Sequence, residues 1–402
     1  MSQPLAGVRV VEIGQEIQGP FAGLLLSDLG ADVIKIENRT TGDLSRWALA
    51  GRGATDVPNH DVSPYFIAMN RGKRSITLDL KKPEAIEVVR RLASEADVVL
   101  TNYRPGVLER LGIGFEGLKA VNPRIVFAQG SSFGPTGPWV QRPSRDILAQ
   151  AATGLLAKGG FEGEPPLPAA FAVADTSGGM SLAMGILAAL FARSQTGKAQ
   201  KVDVSIYGTL IAMQSWELNY TALTGQEPGR AGRGHQFIQG LWGAFPTADG
   251  YIAFAAMDDG RWPKFCRILG IEGLRDDPRF EIGRARQTNG DALRTEVEAV
   301  LVRHTSAEWL AELQAADILA TEVVDYRAVL ASEQARANGY VRPMQHPVAG
   351  EITIGGSPIA LNGEVAGEAA PPPEHGQHTE EILLECGFSW DEIGQMRESG
   401  AI

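Results

Sequence analysis

Val8-Arg9-Val10-Val11-Glu12-Ile13, then Gly14-Gln15-Glu16-Ile17-Gln18-Gly19-Pro20-Phe21-Ala22-Gly23-Leu24-Leu25-Leu26-Ser27-Asp28-Leu29, then Gly30-Ala31-Asp32-Val33-Ile34-Lys35-Ile36, is the stretch that decides the fold class. Val8–Ile13 and Asp32–Ile36 are short apolar runs of strand type, and Phe21–Leu29 between them reads as a helix. A strand, a helix and a second strand in close succession form a βαβ unit, whose crossover makes the two strands parallel. The alternation continues through the strand Ser75–Leu80, a helix from Pro83 to about Ala96 and the strand Asp97–Leu100. A helical turn near Val107–Leu111, the strand Arg124–Ala128, a helix after Asp175 closed by Gly197, and the strand Lys201–Ile206 follow. This pattern predicts an α/β fold with a mostly parallel sheet covered by helices on both faces.

Gly225–Gly234 holds four glycines, two arginines and a proline, which marks a domain boundary. Beyond it the pattern is smaller and mixed: strand, Asp249-Gly250 turn and strand over Trp242–Ala256, then helices at Arg261–Leu269 and Gly290–His304. Thr305-Ser306-Ala307-Glu308 is a capping box opening a helix through Leu313. Pro371-Pro372-Pro373 precedes a terminal helix begun by Thr379.

With 402 residues, the chain is long enough for two domains with real cores, and 44% hydrophobic against 21% charged residues makes it globular. A net charge of −11 argues against nucleic acid or an anionic membrane as partner. Cys266 and Cys386 are too few for a disulfide framework and suit a reducing compartment. The start Met1-Ser2-Gln3-Pro4-Leu5 lacks signal-peptide character, and the apolar run Leu182–Ala192 is shorter than a bilayer. A cytoplasmic location is expected.

Two motifs mislead. Gly112-Ile113-Gly114-Phe115-Glu116-Gly117 spells a dinucleotide fingerprint, yet the segment before it reads as helix rather than strand. His375 and His378 have tolerable metal spacing without a third ligand, so no metal is expected. Ligands of a parallel sheet bind in the loops after its strands, here Gly14–Pro20, Glu37–Thr41, Asn102–Gly106 and Gly130–Gly137. Arg39, Lys73, Arg74, Lys81, Arg104 and Arg110 lie close to these loops, a local basic excess that suits a phosphorylated ligand.

In Phe171-Ala172-Val173-Ala174-Asp175-Thr176-Ser177-Gly178-Gly179-Met180 a lone carboxylate stands between an apolar run and an apolar helix. Desolvating a carboxylate costs several kcal/mol, so Asp175 has either a partner or a task. It either caps the following helix or is reactive, as nucleophile or base.

Laid side by side, these segments resemble the class III (family III) coenzyme A transferases, the family of formyl-CoA:oxalate and carnitine CoA transferases. The matching pieces include Leu5–Val10, Gly19-Pro20-Phe21-Ala22, Asp28–Glu37, Asn70–Ile76, Asn102-Tyr103-Arg104-Pro105-Gly106, Phe133–Pro138, Thr196-Gly197-Lys198, Phe245–Gly250 and Asp277-Pro278-Arg279-Phe280. The resemblance implies a Rossmann-like large domain over 1–224, a small α/β domain over 225–325, and a segment 326–402 returning to the large domain. It further implies an interlocked homodimer, acyl-CoA and a small carboxylic acid as substrates, and Asp175 as the nucleophile. Coenzyme A contacts carry over to Gln15, Ile17, Gln18, Asn38, Arg39, Leu78, Lys81, Asn102, Tyr103, Arg104 and Arg110. The glycine-rich loop Gly232–Gln236, with Gly234 and His235, would cover the reacting carboxylates.

In such an enzyme the aspartate attacks the thioester to give an acyl-aspartyl anhydride and then an aspartyl-CoA thioester. A helix beginning at Thr176 would favour the carboxylate by its dipole, and Gly178 and Gly179 would admit the thioester and offer N–H groups to an oxyanion. Related racemases place a histidine where this chain has Arg145, which cannot shuttle a proton at neutral pH. An acyl-CoA racemase or isomerase is the alternative activity on this scaffold, and Arg145 disfavours it. Arg145 either forks onto a carboxylate of a dicarboxylic acid or pairs structurally with Asp146 or Asp43. Trp47 falls where the family places substrate-pocket residues, or is an ordinary packed aromatic.

Overall fold

A computed structural model of the protein describes residues 3–47, 63–238, 241–255 and 257–402, so that Ala256, at the end of the expected strand pair, lies outside the described residues. The chain divides into two compact units: residues 1–153, 170–213 and 330–402, and residues 154–169 with 214–329.

The first unit is built on six parallel strands, β1 (Arg9–Ile13), β2 (Asp32–Asn38), β3 (Arg74–Leu78), β4 (Val98–Thr101), β5 (Val126–Ser131) and β6 (Gln200–Ser205), in the order β3-β2-β1-β4-β5-β6. Its helices up to the end of this sheet are α1 (Gln18–Asp28), α2 (Pro64–Asn70), α3 (Pro83–Glu95), α4 (Val107–Arg110), α5 (Phe115–Val121), α6 (Asp146–Ala152), α8 (Val173–Thr196) and α9 (Ile206–Met213), while α7 (Leu155–Lys158) belongs to the second unit. Strand residues alternate between two cores, which is why the strands read as continuous apolar runs. Val11, Ile13, Ile34, Ile76, Val99 and Phe127 face one side with Val88, Val89 and Leu92 of α3. Val10, Val33, Val98, Leu100 and Val126 face the other, with Leu26 of α1 and Leu182 and Ile186 of α8. The helices Thr379–Glu385 and Trp390–Ser399 bring Ile382, Leu383, Ile393 and Met396 into the first core.

α8 runs for 24 residues and, by length and composition, is apolar enough to cross a membrane, which the shorter run Leu182–Ala192 does not suggest. Its buried residues Leu182, Ala183, Ile186 and Ala189 nevertheless belong to the sheet's core. The fingerprint-like glycines follow helix α4 and not a strand, so the phosphate-binding reading fails on structure as well.

The second unit carries an antiparallel sheet of β7 (Gly243–Pro246), β8 (Tyr251–Phe254) and β9 (Ala320–Glu322) over a core including Phe245, Phe254, Trp262, Phe265 and Leu313. Both halves of the Thr305–Glu308 capping box are formed. The helix Ser215–Thr224 already groups with this unit, so the division falls one helix before the glycine-rich segment expected to mark it, and residues 154–169 join the unit as well.

Candidate active site

Strand order reverses between β1 and β4, the place where open parallel sheets bind ligands. The loop after β1 is held from several sides. Asn102, following β4, accepts a hydrogen bond from the Gln15 amide at 3.0 Å and donates one to the Gln15 carbonyl at 2.8 Å. The Glu16 amide donates to Asp43 Oδ1 at 3.1 Å, and Glu16 has φ +66°, a left-handed conformation rare for residues other than glycine. Asp43 is itself buried and pairs through Oδ2 with Lys35 Nζ at 2.7 Å. Lys35 also meets Glu12 at 2.8 Å, and Glu12 meets Lys73 at 2.7 Å, which closes a buried network of two acids and two ammonium groups. Burial disfavours the Lys35 charge, yet Glu12 and Asp43 hold its proton more tightly than usual.

Asp175 lies in the first turn of α8, which begins at Val173, three residues earlier than expected. The amides of Ala174 and Asp175 donate to Asp146 Oδ1 at 2.7 and 3.0 Å. The capping role left open for Asp175 therefore belongs to Asp146, reaching over from α6. The Asp175 carboxylate is half-buried and accepts no hydrogen bond among the described residues. Burial, then the charges of Asp146 and Glu16, push its pKa up to about 7 against the pull of Arg145. From α2, Tyr65 faces the same charges: burial, Glu16 and Asp175 hold its phenol above the usual range.

The expectation for the two glycines is corrected. A Cβ on Gly178 would lie 2.7 Å from Ile206 Cγ2, and one on Gly179 would lie 2.8 Å from the Gln18 carbonyl oxygen and 3.1 Å from the Phe21 ring. They let α8 pack closely on α1 and α9, and as residues inside the helix their N–H groups are committed to it. The donor that the region does offer is Gln18: the residue is buried, and its Nε2 has no hydrogen-bond partner among the described residues. A Cβ on Gly178, three residues beyond Asp175 on α8, would stand 3.2 Å from that nitrogen.

The residues assigned to coenzyme A separate into two kinds. Gln15 and Ile17 lie in the loop after β1 and Gln18 opens α1, and Tyr103 Oη accepts from Gln15 Nε2 at 3.4 Å. The Asn38 side chain caps its own loop by accepting from Thr40 and Thr41, Arg39 Nε donates to the Ile402 carbonyl at 2.6 Å, and the Leu78 side chain is in the core. Lys73 and Arg74 are also withdrawn from the expected basic cluster: Lys73 is buried on Glu12, and Arg74 pairs with Asp32 at 2.7 Å and Glu385 at 2.8 Å. Lys81, Arg104 and Arg110 are exposed and carry no ion pair among the described residues, which leaves them open to an anionic ligand.

Arg145 pairs with neither Asp146 nor Asp43; its Nη1 bonds the Glu16 carboxylate, while 65% of its side chain stays exposed. Trp47 is not packed but 58% exposed, its Nε1 donating to the Thr41 carbonyl at 2.6 Å. Gly234 and His235 lie in the second unit. There, a Cβ on Gly234 would meet the Trp242 carbonyl oxygen at 2.5 Å, and the His235 ring stacks on Trp216 at 4.9 Å. His375 and His378 serve the fold, with His375 Nε2 against the Asn38 carbonyl at 2.9 Å and His378 Nδ1 accepting from the Ser75 amide at 3.2 Å. Glu16, Tyr65 and the capping part of Asp146 escape sequence reasoning. The only available signal was an acid inside the loop that follows the first strand.

A family model, CoA-transferase family III, matches residues 5–379. An acyl-CoA transferase of Fusarium pseudograminearum is 35% identical over 99% of this chain and 88% of its own length. A succinyl-CoA:glutarate CoA-transferase of Mus musculus is 33% identical over 100% of this chain and 90% of its own. The crystal structure of a CAIB/BAIF family protein from Brucella suis superposes with a TM-score of 0.86 at 31% identity, covering 96% of this chain and 100% of that one. With the match running nearly end to end, the chain belongs to CoA-transferase family III and is an enzyme that moves coenzyme A between an acyl-CoA and a carboxylic acid.

Proposed function

We propose that this CoA-transferase works by covalent relay through Asp175 and accepts a dicarboxylic acid. One observation carries the relay: a half-buried carboxylate with no hydrogen-bond donor on it among the described residues, pushed up to about 7, at the switch point of the sheet. Such a group is ionised enough at neutral pH to attack, and it is a stronger nucleophile than a solvated carboxylate.

A carboxylate oxygen of Asp175 attacks the thioester carbon, the C–S bond breaks, and coenzyme A thiolate leaves an acyl-aspartyl anhydride. The thiolate then attacks Asp175 Cγ, the anhydride C–O bond breaks, and the donor acid departs from an aspartyl-CoA thioester. An acceptor carboxylate repeats both displacements in reverse and restores Asp175, with no net proton taken up. Gln18 Nε2, which has no partner among the described residues, is the natural donor to the oxyanion of either tetrahedral state. Gln15, Ile17 and Tyr103 would line the thioester's approach, and Lys81, Arg104 and Arg110 would meet the phosphates of coenzyme A. Arg145 would bind the distal carboxylate of the acid; as a guanidinium it cannot serve a racemase's proton shuttle.

The outer face of α8 presents Met180, Met184, Leu187 and Phe191 at helical spacing, with Met184 68% and Phe191 70% exposed. In the assembled enzyme a second copy covers this stripe, and light scattering at micromolar concentration should give twice the chain mass.

The reaction is tested by incubating the protein with succinyl-CoA and, in turn, glutarate, oxalate, malate, mesaconate and itaconate, and identifying the coenzyme A esters formed. Intact-mass spectra with thioester alone should show an adduct that Asp175→Ala lacks. An Asp175→Ala variant exchanging acids at the parent rate would overturn the relay.

A further inference from the structure

Arg145 is a poor binding group as its exposure alone describes it. A guanidinium with 65% of its side chain in solvent samples many rotamers, and a substrate must freeze them before it gains from the contact. The structure removes that difficulty with an unexpected partner. Glu16 bonds Nη1 of Arg145, and Nε and Nη2 carry no partner among the described residues.

Glu16 is not a casual surface acid that happens to be within reach. Its backbone is left-handed at φ +66°, a conformation that glycine would adopt at lower cost. Its amide is fixed by Asp43, the residue before it by Asn102, and Asp43 in turn by the buried Lys35–Glu12–Lys73 network. The chain thus commits four buried ionisable groups to holding one loop with this acid facing Arg145.

We propose that Glu16 is a positioning residue for acid selection: it holds one nitrogen of Arg145 so that the free edge of the guanidinium meets the distal carboxylate of a dicarboxylic acid. The proposal rests on the reading of Arg145 given above and adds the residue that makes that reading physically workable. A monocarboxylic acid gains nothing from the arrangement. The two side chains also act on the nucleophile in opposite senses, because Glu16 adds a negative charge near Asp175 and Arg145 a positive one. Among the described residues, the other charged or titratable groups facing Asp175 are Asp146 of α6 and Tyr65 of α2, and both are unchanged in the variants below.

The experiment compares the parent with Glu16→Gln, Arg145→Gln and the double variant, using acetyl-CoA, whose acyl group has no distal carboxylate, as donor and glutarate or pentanoate as acceptor. Glu16→Gln should raise the glutarate KM ~10-fold while the acetyl-CoA KM stays within about 2-fold, the size expected for loosening a charge-assisted contact. The double variant should be no worse for glutarate than Arg145→Gln alone, since both changes disable one device. Additive losses, or equal effects on both KM values, would overturn the proposal. A glutarate KM sensitive to Arg145→Gln but not to Glu16→Gln sinks Glu16 and spares the dicarboxylate reading; insensitivity to both sinks the two together. The pH dependence of adduct formation at Asp175, followed by intact mass with acetyl-CoA alone, needs no acceptor and no distal carboxylate. Its midpoint should fall in Glu16→Gln and rise in Arg145→Gln, and midpoints that stay fixed or move the same way contradict the arrangement. Should Glu16→Gln fold poorly, Glu16→Asn, better suited to left-handed backbone, carries the same tests.

Discussion

Replacing the nucleophile by its neutral isostere, Asp175→Asn, should make the protein more stable, and only at pH values where Asp175 carries charge. In the folded chain the carboxyl is pushed from the usual 3.8 up to about 7, chiefly by burial and then by Asp146 and Glu16. Below 3.8 both the folded and unfolded chains hold the proton and the substitution changes little. Between 3.8 and about 7 the folded chain binds more protons than the unfolded one, so stability falls as pH rises, and above about 7 the loss is complete. A shift of that size corresponds to a ceiling of about 4 kcal/mol, which solvent reaching the half-buried group reduces to about 1–3 kcal/mol. For a chain of this length the gain in Tm is about 1–4 °C. Scanning calorimetry of parent and Asp175→Asn at pH 4, 6 and 8.5 should show a difference that opens between the first two and is fully developed at the last. A Tm difference that is the same at pH 4 and 8.5, or one that favours the parent at pH 8.5, would refute the claim that Asp175 sits in a site hostile to its own charge.

Two further substitutions separate stability from activity. Gln18→Leu removes a buried amide nitrogen that has no partner among the described residues, so stability should hold or rise by about 1 kcal/mol in urea unfolding while kcat falls at least ~10-fold; a stable variant of unchanged kcat would leave Gln18 without a catalytic part. Lys35→Met leaves Glu12 and Asp43 facing each other without their shared cation, and should cost about 3–5 kcal/mol by the same measurement; a loss below about 1 kcal/mol would show that the network does not hold the fold.

The sheet was legible because its strands are buried on both faces, so Val10 and Val11 both had to be apolar although they point into different cores. Asp175 was legible as an anomaly, a charge with apolar flanks, but its surroundings were not. Asp146 stands 29 residues before it, and the hydrogen bonds that the first amides of α8 donate to Asp146 depend on how α6 packs, which no local pattern records. The basic residues show the reverse error. Lys73 and Arg74 sit near the expected ligand loops in sequence, and tertiary partners that spacing cannot reveal, Glu12 and Asp32, withdraw them from any ligand. Glycines misled for a related reason: Gly178 and Gly179 signal close approach correctly, but what approaches is Ile206, Gln18 and Phe21 rather than substrate.

The unfavourable features of this fold gather at one strand end. Glu16 holds a strained backbone, Gln18 buries an Nε2 with no partner among the described residues, and Asp175 holds a carboxylate where its charge is unwelcome. Each costs on the order of 1–3 kcal/mol, and together they rival the net stability of a typical domain. The Lys35–Glu12–Lys73 network and the two apolar cores on either side of β1 offset that cost, since both are rigid and anchored in the sheet itself. The coupling has a consequence for engineering. Substitutions that stabilise by relieving any one of the three features act on the reacting centre, whereas substitutions in the α3 face of the core around Val88, Val89 and Leu92 do not touch it. Stability gained at the first set should therefore be accompanied by lost transfer activity, and stability gained at the second should not.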